Sequence, residues 1–166
     1  MGTDPVLDAL VAAAGQSGAA YEVVDCDPEL ADTAAFCEAY GYSPEQSANA
    51  IVLAGKADPP VYAMCLVLAT TQVDVNKVGR KKLGTRKASF ADGAATAEMT
   101  GMVLGGVTPF GKPDELPLWI DERVMACDKV IVGGGGRDRK FLVEPAALAA
   151  IPNAEVVPEL AKLRAG

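Results

Sequence analysis

Thr100-Gly-Met-Val-Leu-Gly105-Gly106-Val-Thr-Pro109-Phe-Gly111 is the stretch around which the chain is organised. Its four glycines free the backbone at several points, while Pro109 holds one φ near −65°. Glycine has no Cβ to keep a ligand away, so a shaped loop of this kind can turn peptide N–H groups and carbonyls toward one. A turn-rich connection that merely needs glycine is the alternative, and the flanking sequence decides between them.

Working outward, Asp92 reads as the N-cap of a helix through Met99 that delivers the chain into the loop. Asp74 caps an earlier helix to Leu83, closed by Gly84, and Arg86 to Phe90 follows as a strand. Ala50 to Ala54 and Val61 to Leu68 are near-continuous apolar runs, the pattern of strands buried on both faces. Nearer the start, Asp4 and Pro5 open a helix through Ala14, with Gly15 and Gly18 ending it. Tyr21 to Val24 is a short strand, Ala34 to Tyr40 a second helix stopped by Gly41, and Ser43-Pro44 starts a further helical turn.

Beyond the loop, Leu118 to Asp121, Lys129 to Val132 and Lys140 to Val143 read as strands, with Gly133 to Gly136 as the turn between the last two. Pro145 to Ala150 and Pro158 to Leu163 read as short closing helices. Helices and strands interleave, yet several strand pairs are joined by short turns. That combination predicts one α/β (α+β) domain over residues 1–166, built on a mixed sheet packed by helices.

Composition excludes several classes. No apolar run approaches the roughly 20 residues that span a bilayer, and the start lacks the basic and apolar regions of a secretory signal, so a cytoplasmic protein without a membrane partner is expected. The four cysteines, at 26, 37, 65 and 127, have neither zinc-site nor redox spacing, and reduced thiols are expected. Histidine is absent, which removes the usual metal ligand and every Ser-His or Cys-His triad. Neither metal nor cofactor is expected, and chemistry must run on carboxylates, lysines, hydroxyls, backbone groups or the substrate itself.

The net charge of −7 argues against nonspecific coating of nucleic acid. Charge is nonetheless uneven, because Lys77, Arg80, Lys81, Lys82, Arg86 and Lys87 fall close together with no acid among them. Such a patch suits a partner that is anionic at one place, such as an RNA end; an ordinary solvated helix face is the other reading.

Gly106-Val-Thr-Pro-Phe-Gly111-Lys112 has the spacing of a phosphate-binding P-loop, but Pro113 stands where a Ser or Thr hydroxyl should hold Mg²⁺. Pro109 also removes an amide donor, so a nucleotide loop is rejected. Gly133 to Gly136 lacks the long helix that would follow a dinucleotide fingerprint.

Four segments in order carry a resemblance: Arg86-Lys-Ala-Ser-Phe-Ala-Asp92, Met99 to Gly111, Leu116-Pro-Leu-Trp-Ile-Asp121, and Val132-Gly-Gly-Gly-Gly-Arg137. Together they resemble the YbaK/ProX family of aminoacyl-tRNA deacylases, free-standing relatives of the editing domain of bacterial prolyl-tRNA synthetases, over about residues 21 to 149. The resemblance implies a mixed, curved sheet of about six to seven strands, partly barrel-like. It also implies hydrolysis of the ester joining a wrong amino acid to the 3′-terminal adenosine of tRNA, with tRNA(Pro) the expected link. The aminoacyl-tRNA acceptor end is then the partner, with an aminoacyl-tRNA synthetase as a second.

In this family a Gly-x-x-x-Pro loop lies against the aminoacyl end, and Gly105 to Pro109 matches it. Gly105 and Gly106 would supply backbone donors for the oxyanion that forms when water attacks. Thr100, Gly101, Val107, Thr108, Pro109, Gly134 and Lys56 complete the candidate substrate contacts, while Lys77, Arg80, Lys81, Lys82 and Lys87 would meet acceptor-stem phosphates. Asp121 matches a family aspartate and is either a site residue or a helix N-cap. Family members carry a functional lysine early in the strand that here begins Ser47-Ala-Asn49, and asparagine has no charge to replace it. A deacylase and a binding module that has lost turnover both remain open at this point.

Overall fold

The computed structural model describes residues 4–103 and 105–164, so Leu104, within the loop, lies outside the described residues. Helix α1 spans Pro5–Ser17, with the Asp4 carboxylate accepting the Leu7 N–H at 3.1 Å and Gly18 closing it at φ 73°. The chain passes through Gly15 without stopping, because the left-handed turn falls only at Gly18. Strand β1 (Tyr21–Asp25) leads to helix α2 (Thr33–Tyr40), capped by Gly41, and a short helical turn at Pro44–Gln46 carries the Ser43 and Gln46 capping box.

Strands β2 (Ala48–Gly55), β3 (Val61–Leu68) and β4 (Thr71–Val73) follow. The helix after Asp74 is a π-helical turn over Val75–Gly79 continued by α3 (Arg80–Leu83), and Gly84 takes the left-handed conformation expected of it. Strand β5 (Ala88–Phe90) and α4 (Gly93–Thr100) then reach the glycine loop, and the Asp92 carboxylate accepts the Ala95 N–H at 2.7 Å. Past the loop come β6 (Leu118–Asp121), α5 (Glu122–Met125), β7 (Val130–Gly133), β8 (Arg139–Val143), α6 (Ala146–Ala149), β9 (Ala154–Val157) and β10 (Ala161–Leu163).

The strands form a mixed five-stranded sheet in the order β5-β2-β3-β6-β9, an antiparallel β1-β8-β7 sheet and a β10-β4 pair. In the larger sheet β6 runs parallel to both β3 and β9 while the other pairs are antiparallel, which is the expected mixed character. Among the described residues its edge strands β5 and β9 do not pair, so it does not close into a barrel. Ten strands form among the described residues where about six to seven are expected, because the short β4, β9 and β10 are not legible locally. Pro158 to Leu163 is not a helix: Glu159 adopts φ 58°, which no α-helix contains, and Ala161–Leu163 pairs with β4.

One face of the five-stranded sheet, with Val52, Met64, Leu66, Leu118 and Ile120, packs against Val130, Val132, Phe141 and Val143 of the smaller sheet and Leu10 of α1. Its opposite face, with Leu53, Cys65, Val67 and Trp119, is covered by Val75, Val78, Leu83 and the β10 region. Burial pushes the Cys65 thiol up to about 12, which leaves it protonated and inert, and all four cysteines are free. Helix α2 covers the outer face of the smaller sheet through Phe36, against Ile131 and Cys26.

Helix α1 is tied to β8 by Asp4, whose carboxylate meets the Arg139 guanidinium at 2.7 and 3.0 Å. That bond, with the Leu7 N–H second, holds the Asp4 carboxyl at about 2, below its ordinary 3.8. A lowered carboxyl stabilises the fold above its unfolded value and loses that contribution as pH falls through the folded one. Asp4→Asn is therefore expected to lose less stability than the parent between pH 3.8 and about 2, read as chemical-denaturation midpoints across that window. Equal acid sensitivity of the two proteins would refute the assignment.

Candidate active site

Strand β5 pairs with β2 only over Leu53–Gly55, so the same edge of β2 continues from Ala48 to Ile51 without a strand partner. At its start Ser47 forms an isolated bridge with Ile131, which pins the two sheets together. The gap left between them is a cavity of about 310 Å³, within the range of small-molecule pockets. Its walls are the start of α2, the unpaired part of β2, the loop at Gly105 and Val107, and β7, with Lys140 entering from β8.

The glycines of the loop and of the Gly133 to Gly136 turn explain one another. The Gly135 N–H donates to the Gly106 carbonyl at 2.6 Å. A Cβ on Gly106 would run into the Gly136 backbone, with its nitrogen 2.7 Å away, and a Cβ on Gly133 would run into the carbonyls of Val107 and Gly106. The two segments touch backbone to backbone, and only glycine permits that approach. Gly105, at φ 87°, lies against the Arg137 guanidinium, and Arg137 also donates from Nε to the Pro28 carbonyl and meets Asp32 at 3.4 Å.

The donors of the loop are not distributed as the sequence suggests. The Gly106 N–H is already committed to the Val103 carbonyl at 2.9 Å, so Gly106 is a packing glycine and not an oxyanion donor. The Val107 N–H makes no hydrogen bond among the described residues, and Val107 lines the cavity. Thr108 is buried outside it, its N–H 3.4 Å from the Met102 sulfur. Pro109 faces a separate hollow beside Gly111 and Lys112.

Asn49 does line the cavity, and its Oδ1 accepts the Thr33 hydroxyl at 2.8 Å, leaving its amide hydrogens without a partner among the described residues. Asp32 is the one carboxylate lining the cavity among the described residues. Lys140 is the residue that reading the sequence missed. Its neighbours Phe141 and Val143 enter the main core, while Lys140 and Leu142 alternate to the face covered by α2. Lys140 is 6% exposed, its Nζ donates to the Gly105 carbonyl at 3.2 Å and sits 5.5 Å from the Phe36 ring centre. Burial pulls its ammonium below the ordinary lysine range, with the nearby Cys26 thiol and Asp32 opposing that. The signal was a lysine at the start of a strand whose second face a helix covers, which locally looks like a solvent-facing cation.

Other expected site residues lie elsewhere. Asp121 is fully buried and accepts the Arg123 N–H at 3.4 Å and the Ala161 N–H at 3.2 Å, so it caps α5 and anchors β10 outside the cavity. The Thr100 hydroxyl donates to the Thr96 carbonyl at 2.7 Å and Gly101 closes α4 at φ 72°, both helix-end roles. Gly134 packs on Arg139, and Gly133 is the member of that turn on the cavity wall. Lys56 lines a shallow cleft with Lys87 at the far end of β2.

The basic patch is partly occupied within the chain. Lys82 pairs with Glu155 at 2.7 Å and stands 5.4 Å from the Trp119 ring centre, and Arg80 donates to the Asn76 and Thr85 carbonyls. Lys77, Lys81, Arg86 and Lys87 are exposed.

The site is thus a pocket at the junction of two sheets, bordered by the Gly105 to Pro109 loop. Residues 27–151 match the model of the aminoacyl-tRNA editing domain family, and the chain belongs to that family. Its fold is similar to a protein provisionally assigned as a trans-editing enzyme for prolyl-tRNA synthetase, at 23% identity and TM-score 0.75, covering 99% of this chain and 100% of the other. A hypothetical protein of known crystal structure is similar at 17% identity and TM-score 0.79, covering 93% and 99% of the two chains.

If the loop and the turn are held by glycine contact, Gly106→Ala is expected to destabilise the protein by about 1–3 kcal/mol through overpacking against Gly136. Thermal melting checks this, with Gly15→Ala as the control because nothing lies within 4 Å of its added methyl. Equal melting temperatures for the two variants would remove the close contact from the account.

Proposed function

We propose that this protein is a trans-editing aminoacyl-tRNA deacylase, acting in the cytoplasm on a mischarged tRNA, with tRNA(Pro) the first candidate. Membership of the editing-domain family supports the substrate class, and the similarity to the provisionally assigned prolyl-tRNA trans-editing protein supports the choice of tRNA. The observation that carries the reading is Val107, whose N–H has no partner among the described residues, on a docked loop that lines the same cavity as Asn49, whose amide hydrogens likewise have no partner among the described residues.

In this reading the aminoacyl ester enters between β2 and the loop. Water adds to the ester carbonyl carbon, and the carbonyl electron pair moves onto oxygen, where the Val107 N–H meets it. Collapse of the tetrahedral intermediate breaks the bond to the ribose oxygen, and the proton released by water passes to that oxygen through the neighbouring ribose hydroxyl. The products are a free amino acid and a tRNA with its terminal hydroxyls restored. No step calls for histidine. Asp32 offers a counter-charge for the substrate's α-ammonium group.

Deacylation assays with tRNA(Pro) and other tRNAs carrying non-cognate amino acids test the reading. Hydrolysis above the spontaneous rate on at least one is expected. A protein that binds a non-hydrolysable aminoacyl-adenosine amide yet deacylates none of them is a binding module instead. The exposed cations make a second expectation: Lys81→Glu with Lys87→Glu should weaken tRNA binding and reduce its salt dependence by about one to two counterions in slope. An unchanged slope would exclude this patch from the interface.

A further inference from the structure

We propose that Lys140 is a catalytic residue, the cation that holds negative charge on the substrate's ester oxygen; the proposal rests on the deacylase reading given above. Asn49, the polar side chain that β2 contributes to the cavity lining, is uncharged. A charge nonetheless lines the same cavity from another strand.

Three observations place it there. Lys140 is more than nine-tenths buried and lines the cavity, and its Nζ is near two other lining residues, 5.5 Å from the Phe36 ring centre and 3.2 Å from the Gly105 carbonyl. Among the described residues it forms no ion pair and one hydrogen bond, so an ammonium with three donors keeps capacity for a ligand. Its bond is to the Gly105 carbonyl of the loop that also carries Val107, so Lys140 and Val107 line one cavity. A buried charge without a carboxylate partner is costly and persists where something offsets it. An oxyanion formed during turnover does so, because Coulomb attraction is strongest where water is excluded.

The alternative is structural: the ammonium serves only to hold Gly105. Lys140→Gln separates the two, since its amide can still donate to the Gly105 carbonyl while carrying no charge. On the tRNA that the parent deacylates, Lys140→Gln is expected to lower kcat about 100-fold or more with KM within threefold. A kcat within threefold of the parent would overturn the proposal. Should Lys140→Gln fail to fold, Lys140→Arg decides: retention of charge is expected to keep activity within tenfold, and a hundredfold loss in a folded protein counts against a role for charge.

A binding arm keeps this separate from the hydrolase reading. An anionic phosphonate analogue of aminoacyl-adenosine, tetrahedral at phosphorus, is titrated calorimetrically into the parent and Lys140→Gln proteins alongside the neutral amide analogue. The substitution is expected to weaken the phosphonate at least tenfold and the amide less than threefold. If the parent deacylates no tRNA, the function proposed above fails while this result still judges Lys140. Equal phosphonate affinities in the two proteins would overturn its assignment.

Discussion

The contact of glycine with glycine between residues 105–107 and 133–136 is the constraint on which the site depends. One hydrogen bond, from the Gly135 N–H to the Gly106 carbonyl, joins two peptide segments with no side chain between them. A methyl group at Gly106 or Gly133 would hold the segments apart, and the loop would no longer border the β2 edge. In the proposed reaction that rigidity matters, because a hydrogen-bond donor that meets developing charge is effective only if it need not reorganise. Val107 inherits that rigidity from its neighbours.

The second element is the incomplete pairing of β2. A strand edge without a partner exposes unpaired backbone groups and invites aggregation, and folds commonly cover it. Here β5 covers only Leu53–Gly55, and α2 and the glycine loop roof the rest without pairing to it. The edge is shielded from other chains yet open to a ligand. The Ser47 to Ile131 bridge sets how far the sheets can separate, which fixes the width of the cavity.

The electrostatics follow from the same arrangement. In a chain of net charge −7, the cavity wall holds one lysine and one aspartate, on β8 and at the start of α2. Asn49 of β2 and Lys140 of β8 reach the same space because both strands border it at the sheet junction. Asp121 illustrates the opposite case: a residue that sits in a recognisable motif but spends both carboxylate oxygens on the backbone of α5 and β10.

Local sequence determined the parts of this molecule that depend on local forces. Asp4, Asp92 and Gly18, Gly41, Gly84 and Gly101 mark helix ends because capping and left-handed φ are decided within a few residues. The long apolar runs became β2 and β3 because nothing else could bury them, and the ordered glycine and proline motifs identified the family. Tertiary structure alone decided β4, β9 and β10, whose short segments are stabilised by partners distant in sequence. It also decided that Gly106 packs while the Val107 N–H has no partner among the described residues, and that Lys140 is buried in the wall of the cavity that Asn49 also lines. Which group faces a cavity depends on how two sheets meet, and that junction is written in pairings about 80 to 90 residues apart, as between Ser47 and Ile131, which no local pattern records.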